Sequence, residues 1–77
     1  MNTLEEKLKK FLEKETQRKI KNQNINLIER GILDSFSMMK LISFIETELD
    51  LNVDMEKINP KNFNSIYSIV KTIKKWK

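Results

Sequence analysis

Apolar residues recur at helical spacing in three stretches of the chain and are scattered between them. In the first stretch Leu4, Leu8, Phe11 and Leu12 share one face, and the opposite face is Glu and Lys. Thr3 followed by Glu6 has the form of a capping box, so the pattern predicts a helix over about residues 4–18. In the second, Met38, Leu41, Ile42, Ile45 and Leu49 fall on one arc at 100° per residue, predicting a helix from about Phe36 to Leu49. Ser37, Lys40, Ser43, Thr47 and Asp50 lie away from that arc. The third stripe is Ile66, Ile69, Val70, Ile73 and Trp76, with Lys71, Lys74, Lys75 and Lys77 in its closing turns, where cations complement the helix dipole. Before it, Asp54 is placed to cap one short turn through Met55 to Ile58, and Pro60, Asn62 and Asn64 interrupt the pattern.

Between the first two helices, Lys19 to Leu33 holds three Asn and the only Gly, with apolar Ile20, Ile25, Leu27, Ile28, Ile32 and Leu33 spread through it. This reads as a long ordered loop pinned to the core, and loops of that length inside compact domains are often functional. The predicted fold is all-α: a small bundle of three main helices plus one short helix, with the long loop between helices 1 and 2. Residues 1–77 read as one domain, without internal repeat or low-complexity segment.

A chain of 77 residues buries only about 60% of its unfolded surface, so a deep active-site cavity is not expected. There is no Cys, which excludes disulfides, thiolate metal sites and thiol nucleophiles, and no His, which removes the usual general base and the commonest metal ligand. Catalysis by this chain alone is not expected, nor is a metal site. The N-terminus lacks an apolar leader segment and no apolar run is long enough to span a bilayer, so a cytoplasmic monomer without membrane insertion is the expectation. The formal charge of +4 is uneven: residues 1–28 carry seven basic and four acidic groups, residues 29–59 three and seven, and residues 60–77 five and none. The middle of the chain is acidic and both ends are basic.

The candidate site is Gly31-Ile32-Leu33-Asp34-Ser35-Phe36, which sets a serine where the loop ends and the second helix begins. A phosphate ester on a hydroxyl there would have its charge partly compensated by unpaired backbone N–H groups and the positive end of the helix dipole. On the residues alone, Ser35 reads either as an N-cap or as an attachment point. Gly31 relieves a backbone constraint in the turn and leaves room for a partner to approach. Met38 reads as core filler; Phe36 and Phe44 fall to the side of Lys40, Phe36 suited to a partner and Phe44 to packing under the long loop.

The chain resembles the acyl carrier protein superfamily, which includes peptidyl and D-alanyl carrier domains. The resemblance spans nearly the whole chain: a first helix, a long loop ending in Gly31-Ile32-Leu33-Asp34-Ser35, a second helix closing in Glu46-Thr47-Glu48-Leu49-Asp50-Leu51-Asn52-Val53, and a last helix after Asn62-Phe63-Asn64-Ser65-Ile66. It implies a single carrier domain over 1–77 in which Ser35 carries 4′-phosphopantetheine, installed from coenzyme A by a phosphopantetheinyl transferase. The arm then holds acyl or aminoacyl groups as thioesters, and the protein supplies position and a recognition surface. Asp34 either caps the helix or presents its carboxylate to the transferase.

Carriers of fatty acid synthesis are acidic just after the serine, whereas this chain reads Phe36, Ser37, Met38, Met39 and Lys40 there. Phe36, Met39 and Lys40 are therefore the expected partner-binding residues. The form of the motif is similar to that of stand-alone carriers served by a dedicated adenylating ligase, with acyl-transfer enzymes downstream, and leaves the load open among an amino acid, a fatty acyl group or another carboxylic acid. The alternative is a small basic helical nucleic-acid-binding module. Against it, Lys and Glu interleave on the first helix, Arg occurs only at Arg18 and Arg30, and no recognition-helix motif is present, so no nucleic-acid partner is expected.

Overall fold

The computed structural model describes residues 3–76, leaving Met1, Asn2 and the terminal Lys77 of the expected basic turn outside the described residues. Helix α1 spans Leu4–Thr16 and opens with the predicted capping box: Glu6 N donates to Thr3 Oγ1 at 3.1 Å, and Thr3 N donates to Glu6 Oε1 at 3.0 Å. It stops two residues short of the expected end because Gln17 turns into the left-handed region, φ 55°. Helix α2 spans Ser35–Thr47, beginning one residue before the expected start and ending two before the expected end. Helix α3 spans Ile66–Ile73 and tightens into a 3-10 turn at Lys74–Trp76. The short helix is a 3-10 turn, Met55–Lys57, and Asp54 caps it by accepting from Glu56 N at 3.1 Å. Among the described residues there is no strand, and the result is an all-helical, acyl-carrier-like bundle.

α1 packs against both α2 and α3. The core they enclose takes Leu8 and Leu12 from α1, Leu41 and Ile45 from α2, and Ile66, Ile69, Val70 and Ile73 from α3. Phe63, just before α3, is fully buried and its ring lies 6.3 Å from that of Trp76, so the last turn closes the bundle as its apolar spacing predicts. The long loop contributes Ile20, Leu27, Ile32 and Leu33 to the same core. Of the other two loop residues expected to pin it, Ile25 is half-buried and Ile28 is exposed. The radius of gyration, 11.2 Å, is that of a closed globule of this length rather than a bundle with a free loop.

Two readings of side-chain direction are corrected. Ser37, expected on the solvent side of α2, is buried, because its hydroxyl is consumed by the chain that enters the helix. Phe44 does pack, but on Phe11 of α1, with ring centroids 4.3 Å apart, and not under the loop. A helical wheel assigns Phe44 to the flank of the core arc; only the approach of α1 decides what covers it.

Candidate functional site

The start of α2 is built by three devices. Backbone bonds clamp the loop: Ile32 N and Leu33 N both donate to Leu27 O, at 2.9 and 3.0 Å, and Leu27 N donates to Asn64 O at 2.6 Å. The entry to α2 is thereby tied to the entry to α3. Gly31 turns the chain at φ +72°, and an added Cβ would meet nothing within 4 Å, so the glycine is required by its dihedral and not by crowding. Arg18 Nη2 donates to Arg30 O at 2.8 Å, holding the outer edge of the turn.

The third device is the cap itself. Asp34, extended at φ −127°, is the N-cap: Ser37 N donates to Asp34 Oδ1 at 2.9 Å, and Asp34 N donates to Ser37 Oγ at 2.8 Å. This is a reciprocal capping box with serine in the place of the usual Glu or Gln. The Ser37 proton has Ile32 O and Asp34 Oδ1 as acceptors, each at 3.1 Å, so this one hydroxyl joins the loop's last buried turn to the first turn of α2. The Ser37 backbone N–H, then its hydroxyl, and further the Phe36 N–H hold the Asp34 carboxyl below its ordinary value of 3.8. Of the two alternatives for Asp34, capping is what the geometry displays.

Ser35 is then the first residue of the helix and not its cap, and it is exposed. The electrostatic expectation for that position needs revision. The N–H group of Ser37, which the sequence leaves unpaired, donates to the Asp34 carboxylate at 2.9 Å. A phosphate ester on Ser35 would meet a helix end already carrying one negative charge, so its fit rests on exposure to water, with helix-end compensation a smaller contribution.

Phe36, Met39 and Lys40 share the exposed first turns of α2 with Ser35. Phe36 and Met39 are 69% and 71% exposed, unusually open for large apolar side chains. Lys40 Nζ sits 5.2 Å from the centroid of the Phe36 ring, so the cation and the ring form one patch. Met38 faces inward and packs against the core as expected. Residues that sequence reasoning did not single out are Ser37, whose signal was its spacing of three after Asp34, and Ser65, which caps α3 by accepting from Ser68 N at 3.1 Å. Among the described residues no group of three or more His, Cys, Asp or Glu gathers to hold a metal ion, and no helix is long and apolar enough to cross a membrane.

No protein-family model matches the chain. It is similar to a protein of Serratia sp. (strain ATCC 39006) named "Probable acyl carrier protein PigG", with 31% identity over 51 residues covering 66% of this chain. The match spans 59% of that relative's length. Among solved structures, a chain from a crystal structure described as that of an FAD-dependent dehydrogenase superposes with a TM-score of 0.75 at 28% identity. That match covers 86% of this chain and 97% of the other, which is therefore the shorter of the two. The fold is that of a small acyl-carrier-like bundle. The similarity to a protein named as a probable acyl carrier supports the acyl carrier protein family, across the 59% of that relative that the match spans.

Proposed function

We propose that the chain is an acyl carrier whose Ser35 bears 4′-phosphopantetheine, installed from coenzyme A by a phosphopantetheinyl transferase. The observation that carries this reading is the placement of Ser35: an exposed hydroxyl on the first residue of α2, beside a capping box in which it takes no part. Similarity to a protein named as an acyl carrier supports it independently. When bound, the group supplies a flexible arm ending in a thiol that holds acyl or aminoacyl groups as thioesters.

Everything else falls to the chain's own residues, acting over 1–77 as one carrier unit. Asp34 and Ser37 fix the first turn, so that Ser35 is offered to the transferase on rigid backbone rather than on a mobile loop. Asp34 also leaves a negative charge beside the serine for the transferase to read. Phe36, Met39 and Lys40 give partners an apolar and cationic face where carriers of fatty acid synthesis present carboxylates. A dedicated adenylating ligase with an apolar docking patch is the partner this face fits, and acyl-transfer enzymes follow. The carrier-sized chain matched in a flavoenzyme structure supports an FAD-dependent dehydrogenase among the downstream partners.

The test is incubation with coenzyme A and a broad-specificity phosphopantetheinyl transferase, followed by intact-mass and fragment-ion spectrometry. One phosphopantetheine on Ser35 is the expected result. No gain of mass, or addition at another residue, overturns the assignment.

A further inference from the structure

At the end of α2 remote from Ser35, the α1–α2 seam opens into a groove of about 420 Å³. Its floor is the stacked Phe11–Phe44 pair together with Leu49, all half-buried. Its rim along α1 is Lys7, Lys10 and Lys14, all exposed, and Glu48 stands at the α2 edge. Three cations at successive turns of one helix face make the rim basic. Of the acidic residues next to these lysines in sequence, exposed Glu15 is not among the residues that line the groove, and the other two are engaged elsewhere. Glu6 is turned back into the capping box with Thr3, and Glu13 accepts from Ile20 N at 2.8 Å on the loop side. Phe44 lies nine residues past Ser35, about 14 Å along the helix axis, so the groove can be filled while Ser35 and Phe36 stay open.

We propose that this groove is a second docking site, for an acidic amphipathic segment of a partner protein that sets an apolar side chain on the Phe11–Phe44 floor and carboxylates against Lys7, Lys10 and Lys14. Charge complementarity selects the partner's sign, and the aromatic floor selects an apolar anchor over a plain polyanion. Such a site would raise the local concentration of a partner around the carrier without competing for the serine.

The experiment is a titration of the full chain, labelled for amide NMR, with a synthetic helical peptide of alternating Glu and Leu faces. Poly-L-glutamate, a DNA duplex and anionic phospholipid vesicles are the comparison ligands. Shift changes confined to Lys7, Phe11, Lys14, Phe44 and Leu49, weakening with added salt, are expected. Lys10→Glu/Lys14→Glu should lower peptide affinity by about tenfold or more. Lys61→Glu/Lys71→Glu, with the same change in net charge elsewhere on the surface, should leave it within about twofold. Absence of shifts in the groove, equal losses in both double variants, or tighter binding of polyglutamate, DNA or vesicles through the same residues overturns the proposal. Phosphopantetheine transfer to Ser35, followed in the same samples, is expected to be unchanged, so failure of the groove and failure of the carrier assignment are read separately.

Discussion

Ser35 and Ser37 stand two residues apart on the same helix turn, and opposite fates are predicted when each becomes alanine. Ser37→Ala removes an acceptor from Asp34 N, 2.8 Å away, and a donor to Ile32 O at 3.1 Å, in a position only 7% exposed. One net hydrogen bond is worth about 1 kcal/mol, and a buried group left unpaired adds about 1–3 kcal/mol. Water reaching the Asp34 N–H and the better helix propensity of Ala return a part, roughly 0.5 kcal/mol for the latter. A net loss of about 1–2 kcal/mol follows, which for a domain this small lowers the melting temperature by about 5–15 °C. Ser35 is exposed at the first helical position, so Ser35→Ala should change the melting temperature by no more than about 4 °C. The modification assay should show the reverse: Ser37→Ala, held well below its melting temperature, still accepts phosphopantetheine, and Ser35→Ala does not. Thermal melts by circular dichroism beside intact-mass spectrometry read both. Coincident melting curves for the two variants would refute the structural role of Ser37, and modification of Ser35→Ala at the wild-type rate would refute the role of Ser35.

Four further outcomes are expected. Phe36→Ala should slow loading by the cognate ligase, at a cost of about 1–3 kcal/mol in the docking step, with little change in melting temperature. Lys40→Glu should alter chiefly the association rate and its salt dependence, and because Lys40 Nζ rests over the Phe36 ring, the double variant should fall short of the sum of the two in loading kinetics. Asp34 titrates below 3.8 in the folded chain, so its contribution to stability is complete well above that pH and is lost as the pH falls through the lowered folded-state value. Asp34→Asn keeps a capping oxygen without the titration, and the gap in melting temperature between wild type and variant should shrink on acidification. Phe63→Ala, which empties a fully buried ring site against Trp76, should cost about 3–5 kcal/mol and leave a marginally folded chain in urea denaturation.

How far the fold could be read in advance depended on whether the deciding contact was local. The start of α1 was legible because both halves of its capping box, Thr3 and Glu6, lie within one turn, and the core arc of α2 was legible because Leu41 and Ile45 repeat at helical spacing. Ser37 was misplaced by the same reasoning, since a periodicity argument sends every polar residue outward and cannot register that Asp34 and Ile32 O make its burial favourable. The apolar stripe of α3 was legible from Ile66 onward, whereas its cap was not: Ser65 follows Phe63, which is buried, and Asn64, whose O accepts from Leu27 N, contacts that spacing does not display. Ile28 was assigned to the core with its neighbours, yet the Asn26 side chain accepts from Ile28 N and Glu29 N at 3.1 and 3.0 Å, and that turn sends Ile28 outward. At the candidate site, the place of Ser35 at the start of the helix, the exposure of Phe36 and capping by Asp34 as one of two alternatives were legible; the part of Ser37 in closing that cap was not.

That last point bears on how such a site works with so little chemistry. If the helix end were left free to compensate an ester on Ser35, the first turn would be ordered by its ligand, and the unmodified chain would present the serine on a fraying end. With Asp34 and Ser37 closing the turn reciprocally, and Leu27 O holding the two residues before them, the geometry that the proposed transferase would meet is formed without any modification. Pre-ordering of this kind removes part of the entropic cost of docking, which a flat, small surface such as Phe36, Met39 and Lys40 would otherwise struggle to offset. On the proposed reading the chain needs no histidine or cysteine for that task, because the residues around Ser35 would hold and display a hydroxyl without activating it.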